Sequence, residues 1–201
     1  LRAATENIDT VRLMLRPFTL QDALSMHANW INDRDVQRNY GEPVYSSIPL
    51  VEELLREWLL SYNREDFYRW AIILKDDEEC IGQIAFCKVD ADHRFAEIEY
   101  CIGRPYQNKG YATEALTAVI QYTFTRTSLQ RLQAYHRGQN AVSGKVMQKA
   151  HMQYEGTHKE SYYYSDTGEY DDRHYYGIVK RNDMIIIKRR AAPGCSLSYS
   201  P

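Results

Sequence analysis

Phe95-Ala-Glu-Ile-Glu-Tyr-Cys-Ile-Gly103 runs straight into Arg104-Pro-Tyr-Gln-Asn-Lys-Gly-Tyr-Ala112, and that junction decides how the chain is read. Apolar and charged residues alternate through the first half, as on a half-buried strand. Pro105 and Gly110 then mark a turn. A helical pattern follows at once, with Ala112, Ala115, Leu116, Val119 and Ile120 recurring on one face of a helix over about Tyr111 to Arg126. A strand–turn–helix unit of this kind gathers main-chain N–H groups at the positive end of a helix, where a phosphate or diphosphate is stabilised. Gly110 has no Cβ to keep an anion away, and Lys109 brings a mobile positive charge beside it.

Upstream of this unit, Val11 to Arg16 alternates as a strand that Pro17 ends. Thr19, with Asp22 three residues on, reads as the cap of a helix to about Asn32, with Leu20, Ala23, Leu24, Ala28 and Ile31 on its apolar side. Residues 33–48 are polar, contain Gly41 and Pro43, and read as a loop. Pro49 opens a second helix to about Asn63. Trp70 to Leu74 and Cys80 to Val89 read as antiparallel strands around an acidic turn.

Downstream, Leu129 to Tyr135 reads as a strand. Asn140 caps a short helix to about Ala150, with Val142, Val146 and Ala150 inward, and Tyr154 to Tyr164 with His174 to Val179 reads as a long hairpin. The order β-α-α-β-β-β-α-β-α-β-β predicts an α/β fold: a single mixed, mostly antiparallel sheet with helices on both faces, in one domain over residues 10–180. Residues 181–201, including a short apolar run at Ile185 to Ile187, are expected to form a partly disordered extension.

With 201 residues there is enough chain for one full core, and a formal net charge of −2 argues against a broad nucleic-acid footprint. No apolar run approaches membrane-spanning length, and no basic-then-apolar leader pattern is seen. The start at Leu1 fits a processed or truncated chain. Cys80, Cys87, Cys101 and Cys195 form neither a C-x-x-C pair nor a zinc pattern with the six histidines, so no metal site is expected. Free thiols point to a reducing compartment, and hence to the cytoplasm. There is no G-x-G-x-x-G, and Lys109 precedes its glycine, the wrong order for a nucleoside-triphosphate loop.

Against that background Gln107-Asn-Lys-Gly110-Tyr-Ala112 resembles the Q/R-x-x-G-x-G/A acetyl-CoA motif of the Gcn5-related N-acetyltransferases, in the place where that family carries it. The element order resembles the acyl-CoA N-acyltransferase fold across nearly the whole chain. Phe95-Ala-Glu-Ile98, Gly110-Tyr-Ala-Thr-Glu-Ala115 and Asn140-Ala-Val-Ser143 are similar to the Rim-type branch, which acetylates N-termini of ribosomal proteins and also contains spermidine and antibiotic acetyltransferases. The resemblance implies transfer of the acetyl group of acetyl-CoA to a primary amine, here a peptide N-terminus, with a small polyamine or amino-sugar as alternative acceptor. A non-catalytic acyl-CoA-sensing module is the alternative outside catalysis. It also admits a homodimer.

Residue by residue, the resemblance implies that Gln107, Asn108, Lys109, Gly110, Tyr111 and Ala112 hold the diphosphate, that Cys101 and Ile102 run beside the pantetheine arm, and that Asn140 touches the cosubstrate. Glu97 matches the family's glutamate base. Glu97 and Glu99 share one face of their strand, and two like charges there favour proton uptake by one of them. The family's tyrosine acid is replaced by Met147, so Ser143 is the candidate donor to the leaving thiolate. Cys101 lacks an activating histidine and is a poor nucleophile. On the acceptor side, tyrosines and acids of the final hairpin suit a cationic amine, or simply form a solvated turn.

Overall fold

A computed structural model describes residues 5–181 of the chain. The expected mixed sheet is formed by eight strands: β1 (Ile8–Asp9), β2 (Leu13–Arg16), β3 (Arg69–Leu74), β4 (Cys80–Asp90), β5 (Phe95–Ile102), β6 (Arg131–Arg137), β7 (Gln153–Tyr164) and β8 (Glu169–Val179). Their order is β1-β2-β3-β4-β5-β6-β8-β7, and only β5 and β6 run parallel. The helices are α1 (Ala23–Met26), α2 (Arg34–Tyr40), α3 (Ile48–Ser61), α4 (Tyr111–Arg126) and α5 (Ala141–Lys149). Alternation on β3 explains why helices cover both faces. Trp70, Ile72 and Leu74 pack with α4 and α5 on one side, while Ala71 and Ile73 pack with the first three helices on the other. Each fully buried aliphatic or aromatic side chain there contributes roughly 1.5–3 kcal/mol.

Several local expectations change. Residues 33–48 are not all loop, because α2 occupies the first half. The Asp33 carboxylate accepts from the N–H groups of Asp35 and Val36 at 3.0 and 3.1 Å, and Gly41 ends the helix at φ +92°. That pair of signals, a capping aspartate and a left-handed glycine, was present in the sequence. Upstream, a single 3-10 turn leads into α1, which continues as a π turn over His27–Ile31. The buried face runs through Ala23, Met26, Asn29, Trp30 and Ile31, while Leu20 and Leu24 are exposed. Val11 is also exposed, and β2 starts at Leu13. In α5 the inner residues are Gly144, Met147 and Ala150, not Val142, which is exposed. β8 begins at Glu169, five residues earlier than the sequence suggested. The apolar run Ile185 to Ile187 and the rest of the expected extension beyond Arg181 lie outside the described residues.

The feature that matters for function is where β5 and β6 part. Their pairing runs only through Phe95–Arg131, Ala96–Leu132 and Glu97–Gln133. Beyond it β6 stays on β8 as far as Arg137, and β5 stays on β4 as far as Ile102. The facing edges separate, leaving an opening at the carboxyl ends of two parallel strands, where ligands commonly bind in open sheets.

Candidate active site

The opening is a cleft of about 480 Å³, within the ordinary range of small-molecule sites, ~300–1,000 Å³. Cys101 and Ile102 of β5 form its floor, and Gln107, Asn108, Gly110, Tyr111 and Ala112 form one end. Asn140 and Ser143 close it from α5, and Val36, Asn39 and Tyr40 from α2. The structure thus gathers nine of the residues named from sequence into one cavity. Lys109 is not in the wall. Its ammonium lies over the Tyr106 ring at 5.5 Å, and its carbonyl accepts from Arg12 Nη1 at 2.9 Å. Glu97 is not in the wall either; it sits at the last paired position, about 13 Å down the strand from Cys101 at ~3.3 Å per residue.

The main chain at the Gln107 end is arranged for an anion. Asn108 and Gly110 both have left-handed backbones, at φ +62° and +83°. A side chain at Gly110 would also meet Arg12 Nη2 at 3.3 Å. No side chain caps α4, so its first N–H groups face the cleft uncommitted. Gln107 braces the turn by donating from Nε2 to the Ile102 carbonyl at 2.9 Å. Arg12 clamps the helix start through Glu114 at 2.7 Å. These residues fit a diphosphate group, and they do so chiefly through backbone.

At α5, Asn140 stands at the N-cap position, yet its side chain does not cap the helix; Nδ2 donates to Ser143 Oγ at 3.2 Å. With that lone pair occupied, the Ser143 hydroxyl proton is free to point elsewhere. The Tyr100 hydroxyl crosses the cleft and donates to the Ser143 carbonyl at 3.0 Å. Burial pushes this phenol up, and the bond to Ser143 only partly offsets it. Met147 is buried in the core, so nothing replaces the family's tyrosine at that point. Gly144 lets α5 approach β6, since a Cβ there would meet His136 Nε2 at 2.6 Å. Burial pushes the Cys101 thiol up to about 12, which makes it inert near neutrality.

The two carboxylates of β5 have different partners. Glu97 Oε2 accepts from the neutral Gln133 amide at 2.9 Å. Glu99 Oε1 accepts from the Tyr40 hydroxyl at 2.7 Å and from Arg69 Nη2 at 3.1 Å. Arg69 also donates to Gln83 at 2.6 Å and lies over the Trp58 ring at 4.4 Å. Burial works against its charge, but Tyr40 and Glu99 outweigh that and hold it protonated. Enclosure, together with Glu99, pushes the Tyr40 phenol well above its usual range, so it remains a neutral donor in the cleft wall. Sequence reading named neither Arg69 nor the Tyr40–Glu99 contact, which joins residues 59 apart in sequence.

Residues 12–153 match the family described as acetyltransferase (GNAT) domain. The chain belongs to the GNAT acetyltransferases. It is 34% identical over 173 residues to the uncharacterized N-acetyltransferase YoaA of Bacillus subtilis (strain 168), covering 86% of this chain and 96% of that protein. It is 28% identical over 117 residues to the ribosomal-protein-serine acetyltransferase of Escherichia coli (strain K12), covering 58% of this chain and 64% of that one. The crystal structure of a GNAT-family acetyltransferase from Bacillus anthracis superposes with a TM-score of 0.75 at 28% identity, over 87% of this chain and 98% of that one. Like the rest of the family, this GNAT protein is an acetyl-CoA-dependent N-acetyltransferase. No helix among its described residues is long and apolar enough to cross a membrane.

Proposed function

We propose that the acceptor is the α-amine of a peptide or protein N-terminus, and that Glu97 and Ser143 handle its protons. The observation that carries the reading is the cleft itself, bounded by the α4 turn at one end and by Val36, Asn39 and Tyr40 of α2 at the other. The similarity to a ribosomal-protein-serine acetyltransferase supports an N-terminal acceptor. So does elementary acidity: an α-amine, with pKa near ~8, loses its proton far more readily than a lysine-like amine near ~10.4.

In this mechanism the α4 turn holds the diphosphate of acetyl-CoA, which supplies the thioester, and the unpaired edge of β5 offers a main-chain donor at Ile102 beside the cleft. Glu97 takes the ammonium proton through water, as its distance from the cleft floor requires. Its partners are both neutral, the Gln133 amide at 2.9 Å and the Cys87 thiol at 3.7 Å, whereas Glu99 is already committed to Arg69 and Tyr40. Ser143, fixed by Asn140, donates toward the sulfur as the thiolate leaves. The protein's acid–base work is thus split between β5 and α5.

Thiol release from acetyl-CoA with a panel of N-terminal peptides, polyamines and aminoglycosides tests the acceptor. Peptides should be turned over with the highest kcat/KM, and a preference for polyamines would overturn the reading. Glu97→Gln should lower kcat by about 10²–10⁴ between pH 6 and 9. Undiminished turnover would remove Glu97 from the mechanism.

A further inference from the structure

Beyond Glu97–Gln133, the same face of β6 carries Tyr135 and then Arg137, just before the cleft residues Gln139 and Asn140. Arg137 lies directly across from Arg173 of β8. Two like charges opposed on neighbouring strands repel each other, and Arg137 is only 4% exposed. Folded proteins keep a buried guanidinium where an acid satisfies it. Here, among the described residues, no carboxylate pairs with either arginine. Arg137 Nη1 and Arg173 Nε are buried without a hydrogen-bond partner, and the one hydrogen bond Arg137 makes is from Nη2 to the Asn39 carbonyl. Tyrosine faces hold the pair in place: Arg137 lies over Tyr162 at 4.3 Å and Arg173 over Tyr135 at 4.9 Å.

The acids of the hairpin, which from sequence suited a cationic acceptor, are engaged elsewhere. Asp171 accepts from the Tyr164 hydroxyl and the Gln139 N–H, and Asp172 from Lys159. Asp166 pairs with Arg38 at 3.1 Å at the outer edge of the cluster, which shows that a carboxylate can reach this ground.

We infer that Arg137 and Arg173 form a subsite for an oxyanion, a carboxylate or a phosphate monoester, carried by the amine acceptor. Planar guanidinium forks pair such groups through two parallel hydrogen bonds. Arg137 lies four residues past the last β5–β6 pair, as Cys101 does on the neighbouring strand, and two residues before the cleft residue Gln139. An extended peptide acceptor would therefore carry its acidic group close behind the reactive amine, at about its second residue. This inference rests on the N-terminal acceptor reading above, but its test does not depend on turnover.

Three hexapeptides, identical but for Glu, Gln or phosphoserine at the second position, are titrated calorimetrically into the full chain without acetyl-CoA. The Glu or the phosphoserine peptide should bind at least about tenfold tighter than the Gln peptide, and whichever is tighter identifies the source of the oxyanion. Arg137→Gln should erase the gap. Arg173→Gln, at a half-buried position, serves the same purpose if the first variant does not fold. Equal binding of all three peptides, no binding by any, or a gap that survives in the folded variants would overturn the subsite and leave the arginines as tyrosine-stacked scaffold. Acetyl-CoA binding and thiol release, measured separately, report on acetyl transfer, so either conclusion can fall alone.

Discussion

The two ends of the cleft are built from different material. At the α4 end the groups proposed to work are main-chain N–H groups, shaped by Gly110 and Asn108 and braced by Gln107 and Arg12. On the α2 side Tyr40 lines the cleft, held by Glu99 and Arg69 from behind, and the inferred subsite adds Arg137 and Arg173, side chains brought together from distant parts of the chain. A backbone site tolerates exchange of most side chains but not a change of backbone shape. A side-chain site depends on each residue and can alter its ligand by single substitutions. In the proposed reading, the common half of the substrate pair would meet the first kind of construction, and the half that distinguishes one acetyltransferase from another would meet the second.

The largest effect that would break this contrast is expected at Gly110. Gly110→Asp imposes a left-handed backbone on a side chain and puts a negative charge among the amides. Acetyl-CoA at 100-fold over its dissociation constant should stabilise the parent by about 2.7 kcal/mol, and thermal melting should show no such gain for the variant. An undiminished shift would mean that the turn is not the anchor.

On acetyl-CoA binding, a smaller effect is expected from a change at the other end. Arg69→Met removes the charged partner of Glu99 inside the sheet and should cost about 3–5 kcal/mol of stability in chemical denaturation. The acetyl-CoA melting shift should survive in that variant. If it vanished, the two ends would not be independent.

The smallest effect concerns the bridge that joins α2 to the cleft. Arg104 forms a forked pair with Asp33 at 2.8 Å and also reaches Asp35. That hydrogen bonding holds the Asp33 carboxyl at about 2, below its usual range. Its folded value lies below the unfolded value near ~3.9, so its contribution is complete above that value and is lost as pH falls toward 2. Asn is also a good N-cap, so Asp33→Asn should isolate the ion pair. Melting of the variant should be slightly lower than that of the parent at neutral pH, with the difference shrinking toward pH 2 and at high salt, since both partners are solvated.

The same contrast explains what could be read in the sequence. The strand from Phe95 and the helix from Tyr111 to Arg126 follow from local periodicity, and the turn between them from Gly110 and Pro105. The gathering of Gln107, Asn108 and Gly110 to Ala112 with Asn140 and Ser143 was implied by the family resemblance. Arg137 and Arg173 gave no such signal, because their meeting depends on the β6–β8 register across 36 residues of chain. α2 was missed because a seven-residue helix shows little period. The capping role expected of Asn140 failed: its side chain donates to Ser143 Oγ and accepts no N–H from the start of α5.

Amide chemical-shift mapping during a titration with coenzyme A tests the central claim most directly, that main-chain groups at the start of α4 hold the diphosphate. The account predicts that the largest shifts fall on the N–H groups from Asn108 to Thr113, while those of Tyr135, Arg137 and Arg173 barely move. Shifts concentrated on β6 and β8, with the α4 turn silent, would contradict it.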